Sequence, residues 1–104
     1  MKPVVIHSEA ESELWQAMDF YEARARGLGL DFEREIRRII ARIQEAPKRY
    51  PKEKHDTRRC LTRRFPYCVY YLELTDVIWI VAFAHTSRRP YYWTGRTKEQ
   101  SGLS

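Results

Sequence analysis

A chain of 104 residues holds one hydrophobic core, and 43% hydrophobic residues with three Trp and seven Tyr exclude a disordered segment. No apolar run approaches the roughly 20 residues of a membrane span. The N-terminal MKPVVIHSEAESE also lacks the apolar core of a signal peptide, so a cytoplasmic protein is expected. The formal net charge of +5 is unevenly spread: residues 1–46 carry a net −2 and residues 47–104 a net +7. A basic half suggests an anionic partner, with ordinary solvated surface charge as the alternative.

In chain order, PVVIH at 3–7 reads as a short strand. Ser8 followed by Glu11 is an S-x-x-E capping box opening a helix of about 18 residues. Its apolar stripe is Leu14, Ala17, Met18, Tyr21, Ala25 and Leu28. Gly27 and Gly29 in RGLGLD mark a tight turn between helices, where a positive φ is cheap for glycine. A second helix carries Phe32, Ile36, Ile39, Ile40 and Ile43 on one face and arginines on the other, and stops before Pro47. The two stripes predict an antiparallel helical hairpin laid on an apolar surface.

After the polar loop PKRYPKEKHD come RRCLTRR, YCVYYLEL and VIWIVAFA, β-branched and aromatic segments that read as strands. RFP marks the first turn between them, since Pro66 cannot donate within a central ladder, and LTDV the second. VIWIVAFA is apolar on both parities and should be a central strand. The expected fold is α+β in the order β-α-α-β-β-β, a helical hairpin packed on a mainly antiparallel four-stranded sheet. One domain should span residues 1–96, followed by a flexible tail at 97–104. Cys60 and Cys68 are too few for a disulfide framework. If RRFP is a tight turn, the two lie near-opposite on adjacent antiparallel strands as reduced thiols. The three His and two Cys have no metal-ligand spacing, and neither metal nor other cofactor is expected.

The order of these parts, with GLG in the helical turn, then RRFPYCVYY and VIWIVAFAHTSRRPYYW, resembles the RelE/ParE superfamily of toxins from bacterial type II toxin–antitoxin pairs over residues 3–96. The resemblance implies a toxin neutralised by a cognate antitoxin. Its target would be mRNA on the ribosome, cut without a metal, or DNA gyrase, inhibited by binding. A non-toxic basic nucleic-acid-binding domain of the same fold is the alternative. An antitoxin tail is expected to fold into an apolar groove left by the hairpin and the sheet edges.

Metal-free RNA cleavage needs a base for the 2′-OH proton, cations for the phosphoryl group and an acid for the leaving oxygen. The cluster following the last strand offers such groups. His85 is the candidate base or acid. Arg88 and Arg89 can grip phosphate through paired N–H donors, and at least one of them is expected to serve function. Tyr92 matches a C-terminal tyrosine of nuclease relatives, and Tyr91 or Trp93 can stack on a base, although Trp93 reads better as core packing. Arg63, Arg64 and Arg96 extend the cationic rim, and Lys52 and Lys54 stand near the loop where relatives carry a lysine pair. Against this, Arg88 and Arg89 can equally pair with helix carboxylates such as Glu33 or Glu35. The pattern also departs from cleaving relatives in one place: Cys68 occupies the position of their strand arginine. That departure puts nuclease activity in doubt and shifts weight to the gyrase branch.

Overall fold

The computed structural model describes residues 1–103, with side chains described through residue 98. Strand β1 (Val4–Ile6) leads into helices α1 (Ser8–Arg24) and α2 (Leu28–Glu45). Then follow a one-turn 3₁₀ helix (Lys54–Asp56) and strands β2 (Arg58–Leu61), β3 (Tyr67–Glu73) and β4 (Ile78–His85). A 3₁₀ segment (Thr94–Leu103) ends the described chain. The sheet order is β1-β4-β3-β2, parallel only between β1 and β4. The fold is the expected α+β arrangement, with β4 central. The expected tail at 97–104 starts inside the last 3₁₀ segment, where Thr97 is buried; Ser104 lies outside the described residues.

Local capping differs from the S-x-x-E expectation. Helix α1 begins at Ser8, and its N-cap is His7, whose Nδ1 accepts the Glu9 N–H at 3.0 Å. His7 is held there because its own N–H donates to the Ile80 carbonyl, continuing the β1–β4 ladder by one residue. Sheet pairing thus chooses the cap, and Ser8 is already helical.

The two glycines of the helical turn have different tasks. Gly27 takes φ +85° at the N-cap of α2, a conformation costly for a residue with a Cβ. Gly29 lies inside α2, where an added Cβ would stand 2.5 Å from the Met18 carbonyl oxygen of α1. It is a crossing point of two helices and not part of the turn. Glu22 of α1 accepts the N–H groups of Gly27 and Gly29, so one carboxylate satisfies donors at the start of α2.

One sheet face is buried by the hairpin. Phe32, Ile36, Ile39 and Ile43 of α2 and Ala10 and Ala17 of α1 pack on Val69, Tyr71, Ile78, Ile80 and Phe83. Ala25, expected in the α1 stripe, is the exposed C-cap. The opposite face is covered by the chain's own C-terminal segment, with Trp93 packed on Tyr70 and beside Val81 and Ala82. This two-sided burial explains why β4 is apolar on both parities.

A bulge shapes that strand. Tyr70 pairs with Ala82 and Tyr71 with Ile80, leaving Val81 as the extra residue. Val81 and Ala82 both join the outer cluster, and the alternation restarts one step later. Phe83 accordingly returns to the helix side and joins the core beneath the hairpin.

Two expectations at the β2–β3 turn are corrected. Strand β2 ends at Leu61 and does not run through RRCLTRR, because the N–H groups of Arg63 and Arg64 turn away from the ladder to the buried Glu35 carboxylate. Cys60 pairs with Val69, and Cys68 with Leu61, so the cysteines are offset by one residue and not opposite. An offset of one puts them on opposite sheet faces, Cys60 under the helices and Cys68 toward the outer face, and both are free. Burial is the main cause pushing both thiols above their ordinary pKa, which leaves them protonated and inert.

Candidate functional site

Where β4 leaves the sheet, a cleft of about 320 Å³ opens between the outer face of β2–β4 and the loop that follows. Arg59, Tyr70, His85, Arg88, Arg89 and Tyr91 are among its walls. The cleft therefore unites four of the expected site residues, since Tyr92 also lines it. Lys54 reaches its edge through Tyr91, standing 4.8 Å from that ring's centre. Tyr91 itself has φ +60°, an unusual backbone for an aromatic residue, and its hydroxyl donates to Glu53 at 3.3 Å.

His85 ends β4 and packs edge-on against Tyr67. Its Nδ1 accepts the Ser87 N–H at 3.0 Å, and the Ser87 hydroxyl lies 2.7 Å away. A backbone N–H can only donate, so Nδ1 is the acceptor and the neutral ring carries its proton on Nε2. The Arg88 N–H donates to the His85 carbonyl at 3.0 Å. The imidazole is built into this tight turn.

Arg88 and Arg89 are both exposed, and neither pairs with a carboxylate among the described residues. The alternative pairing with helix carboxylates is overturned, because those groups are engaged elsewhere. Glu33 meets Arg37 at 3.3 Å, and Glu35 serves the backbone of Arg63 and Arg64 with Arg38 at 3.8 Å. The Arg88 guanidinium instead lies 3.9 Å from the centre of the Tyr92 ring, a cation–π contact.

Behind this contact is Glu13 of α1. It accepts the Tyr92 hydroxyl, two guanidinium N–H groups of Arg96 at 2.9 and 3.1 Å, and the Phe83 N–H at 3.1 Å. Arg96 also donates to the Val81 carbonyl at 2.9 Å. Strand β1 ends at Ile6, opposite Ile80, so beyond that point the backbone of β4 has no strand neighbour on that edge. The Glu13–Arg96 pair satisfies Val81 and Phe83 there in place of a strand. Both side chains are only 12% exposed, so Arg96 is an internal strut whose head is already committed. Burial first, and then the bond to Glu13, push the Tyr92 hydroxyl well above the usual tyrosine pKa.

The remaining expected cations lie elsewhere. Arg63 and Arg64 sit at the β2–β3 turn against the hairpin, with Arg64 3.7 Å from Asp31. Lys52 lies 3.9 Å from Asp56, beside a separate hollow with His55 and Arg58. Trp93 is buried, as its core reading expects.

Two wall or support residues, Tyr70 and Glu13, escape the sequence reading, which also does not place Arg59 at this cleft. Strand alternation carried a signal for Arg59, since with Cys60 facing the helices its neighbours face the cleft. Arg59 pairs with Tyr70 and brings a positive charge to the cleft face that also holds Cys68. Glu13 had no such signal, being a polar residue beside an apolar stripe and 83 positions before Arg96.

Residues 4–90 match the family model described as the ParE toxin of the type II toxin–antitoxin system parDE, which is most of the chain. No curated protein matches it. Among the described residues no helix is long and apolar enough to cross a membrane.

Proposed function

This chain belongs to the ParE toxin family, a toxin with a cognate antitoxin, and from that premise we propose that it arrests growth by binding and inhibiting DNA gyrase, without a catalytic step of its own. One observation carries the choice over mRNA cleavage: the proton-transfer groups that cleavage would use are already engaged. His85 accepts the Ser87 N–H at Nδ1, which makes it a donor at Nε2 and a poor base. Tyr92 donates its hydroxyl to Glu13 and is held protonated. The departure at Cys68 supports the same reading. What remains available in the cleft is binding chemistry: Arg88, Arg89, Arg59 and the half-buried Tyr91, with Lys54 beside it. Arg96 supports this surface from behind, and Arg63, Arg64 and Lys52 belong to a wider basic surface.

The antitoxin fits a second place. An apolar hollow of about 420 Å³ lies between β1 and the hairpin, lined by Val4, Ile6, Leu14, Ile36 and Ile40 and flanked by Glu33 and Arg37. Strand β1 is a sheet edge, so an antitoxin segment can fill the hollow and pair with that edge.

The test between targets is His85→Gln, induced at wild-type level while translation, mRNA ends and DNA supercoiling are followed together. A gyrase inhibitor keeps growth arrest within a few-fold of wild type and alters supercoiling with intact mRNA. A loss of about 10² to 10⁴ in rate, with new mRNA ends in the wild type, would establish His85 proton transfer and the nuclease reading.

A further inference from the structure

We infer that Glu13 and Tyr92 are positioning residues for Arg88: the Glu13 carboxylate on α1 fixes the Tyr92 ring, and that ring holds the Arg88 guanidinium at the mouth of the cleft. The inference rests on the reading that Arg88 is part of the gripping surface, and it assigns a reason why an exposed arginine should be held in one place.

Arg88 follows a tight turn and is exposed, and an arginine so placed ordinarily samples many rotamers. Here its guanidinium stands 3.9 Å over the Tyr92 ring, close enough for the ring's negative face to hold it. The ring in turn is fixed at its far end, since its hydroxyl donates to Glu13. Glu13 is the most committed carboxylate near the cleft, anchored to the β4 backbone through Phe83 and to the two-pronged Arg96. Arg96 lies 5.2 Å from the centre of the same ring, so the ring is set between a largely shielded cation and an exposed one. A rigid support of this kind lowers the ordering cost when the held group meets a partner.

The chemistry separates three roles. Arg96 and Glu13 neutralise each other and are largely shielded from solvent, Tyr92 transmits their position, and Arg88 presents its unpaired charge to the outside from a fixed place. The cleft's second arginine, Arg89, has no ring beneath it among the described contacts and serves as the internal comparison.

The experiment compares Tyr92→Phe, Tyr92→Leu, Arg88→Ala and Arg89→Ala in the full chain. Three readouts are taken: growth arrest at equal expression, the unfolding midpoint, and NMR of the Arg88 side chain in the purified protein. A guanidinium over an aromatic face has ring-shifted resonances, which a role in stability alone would not move. Expected is a graded series. Tyr92→Phe keeps the ring and loses its anchor, so the Arg88 signals move partway to free-arginine positions. Tyr92→Leu moves them fully, and its potency falls by roughly three- to thirtyfold, the range a cation–π contact supports. Arg88→Ala should lose arrest outright, while Arg89→Ala leaves the Arg88 signals in place. If Arg88→Ala abolishes arrest but Tyr92→Leu, folded and with Arg88 released, arrests growth like wild type, the positioning inference is wrong and the site reading stands. If Arg88→Ala itself arrests growth fully, the site reading fails and the inference falls with it. Should Tyr92→Leu not fold, Tyr92→Phe decides by the same two readouts: unmoved Arg88 signals overturn the inference.

Discussion

Two pairs of adjacent arginines, Arg63–Arg64 and Arg88–Arg89, border β-strands in this protein, and each stands near a helix glutamate. At the β2–β3 turn Glu35 of α2 takes the backbone N–H groups of the pair, so the carboxylate fixes the main chain and leaves the heads to the surface. After β4, Glu13 of α1 never meets the pair. It fixes Tyr92 and Arg96, and through Tyr92 the head of Arg88. One glutamate shapes a turn, and the other shapes a surface. Tandem arginines read alike in a sequence, but their roles follow from which atoms the nearest carboxylate reaches.

This comparison predicts different costs at the two places. The largest concerns Arg96→Met, which leaves the 12%-exposed Glu13 without its cation. Breaking a buried pair from one side should cost about 3 kcal/mol, measured by denaturant unfolding. A cost below 1 kcal/mol would mean that the C-terminal segment does not depend on the pair. Next is Glu35→Gln, which presents an amide to two backbone donors in place of a carboxylate. Both N–H groups converge on one carboxylate oxygen, which the amide oxygen can replace, so only the charge assistance is lost, about 1–2 kcal/mol, while growth arrest at equal folded concentration stays intact. Loss of arrest there would place the β2–β3 turn in the gripping surface and erase the contrast. The smallest effect belongs to the double variant Arg63→Ala, Arg64→Ala. Its exposed heads should shift stability by no more than about 0.5 kcal/mol and leave arrest within a few-fold of wild type. A stronger loss than that of Arg88→Ala in the same assay would exchange the roles assigned to the two pairs.

Features encoded within a few residues were legible along the chain. Helical stripes at 3/4 spacing, the left-handed Gly27, the two strand turns and the two-sided apolar β4 follow from periodicities of a few residues, and the element order follows from them. The cluster at the end of β4 was legible for the same reason, because His85, Arg88, Arg89 and Tyr92 follow one another closely along the chain. Tertiary structure alone decided the rest. The Val81 bulge and the one-residue offset of Cys60 from Cys68 depend on how neighbouring strands align, and a shift of one residue exchanges sheet faces. His7 displaced Ser8 as the cap because β1 pairs with β4. Glu13 and Arg96 meet across 83 positions, where β1 runs out and β4 needs partners for its backbone. A buried charge takes whatever partner the crossing of elements supplies, and no periodicity along the chain encodes that crossing.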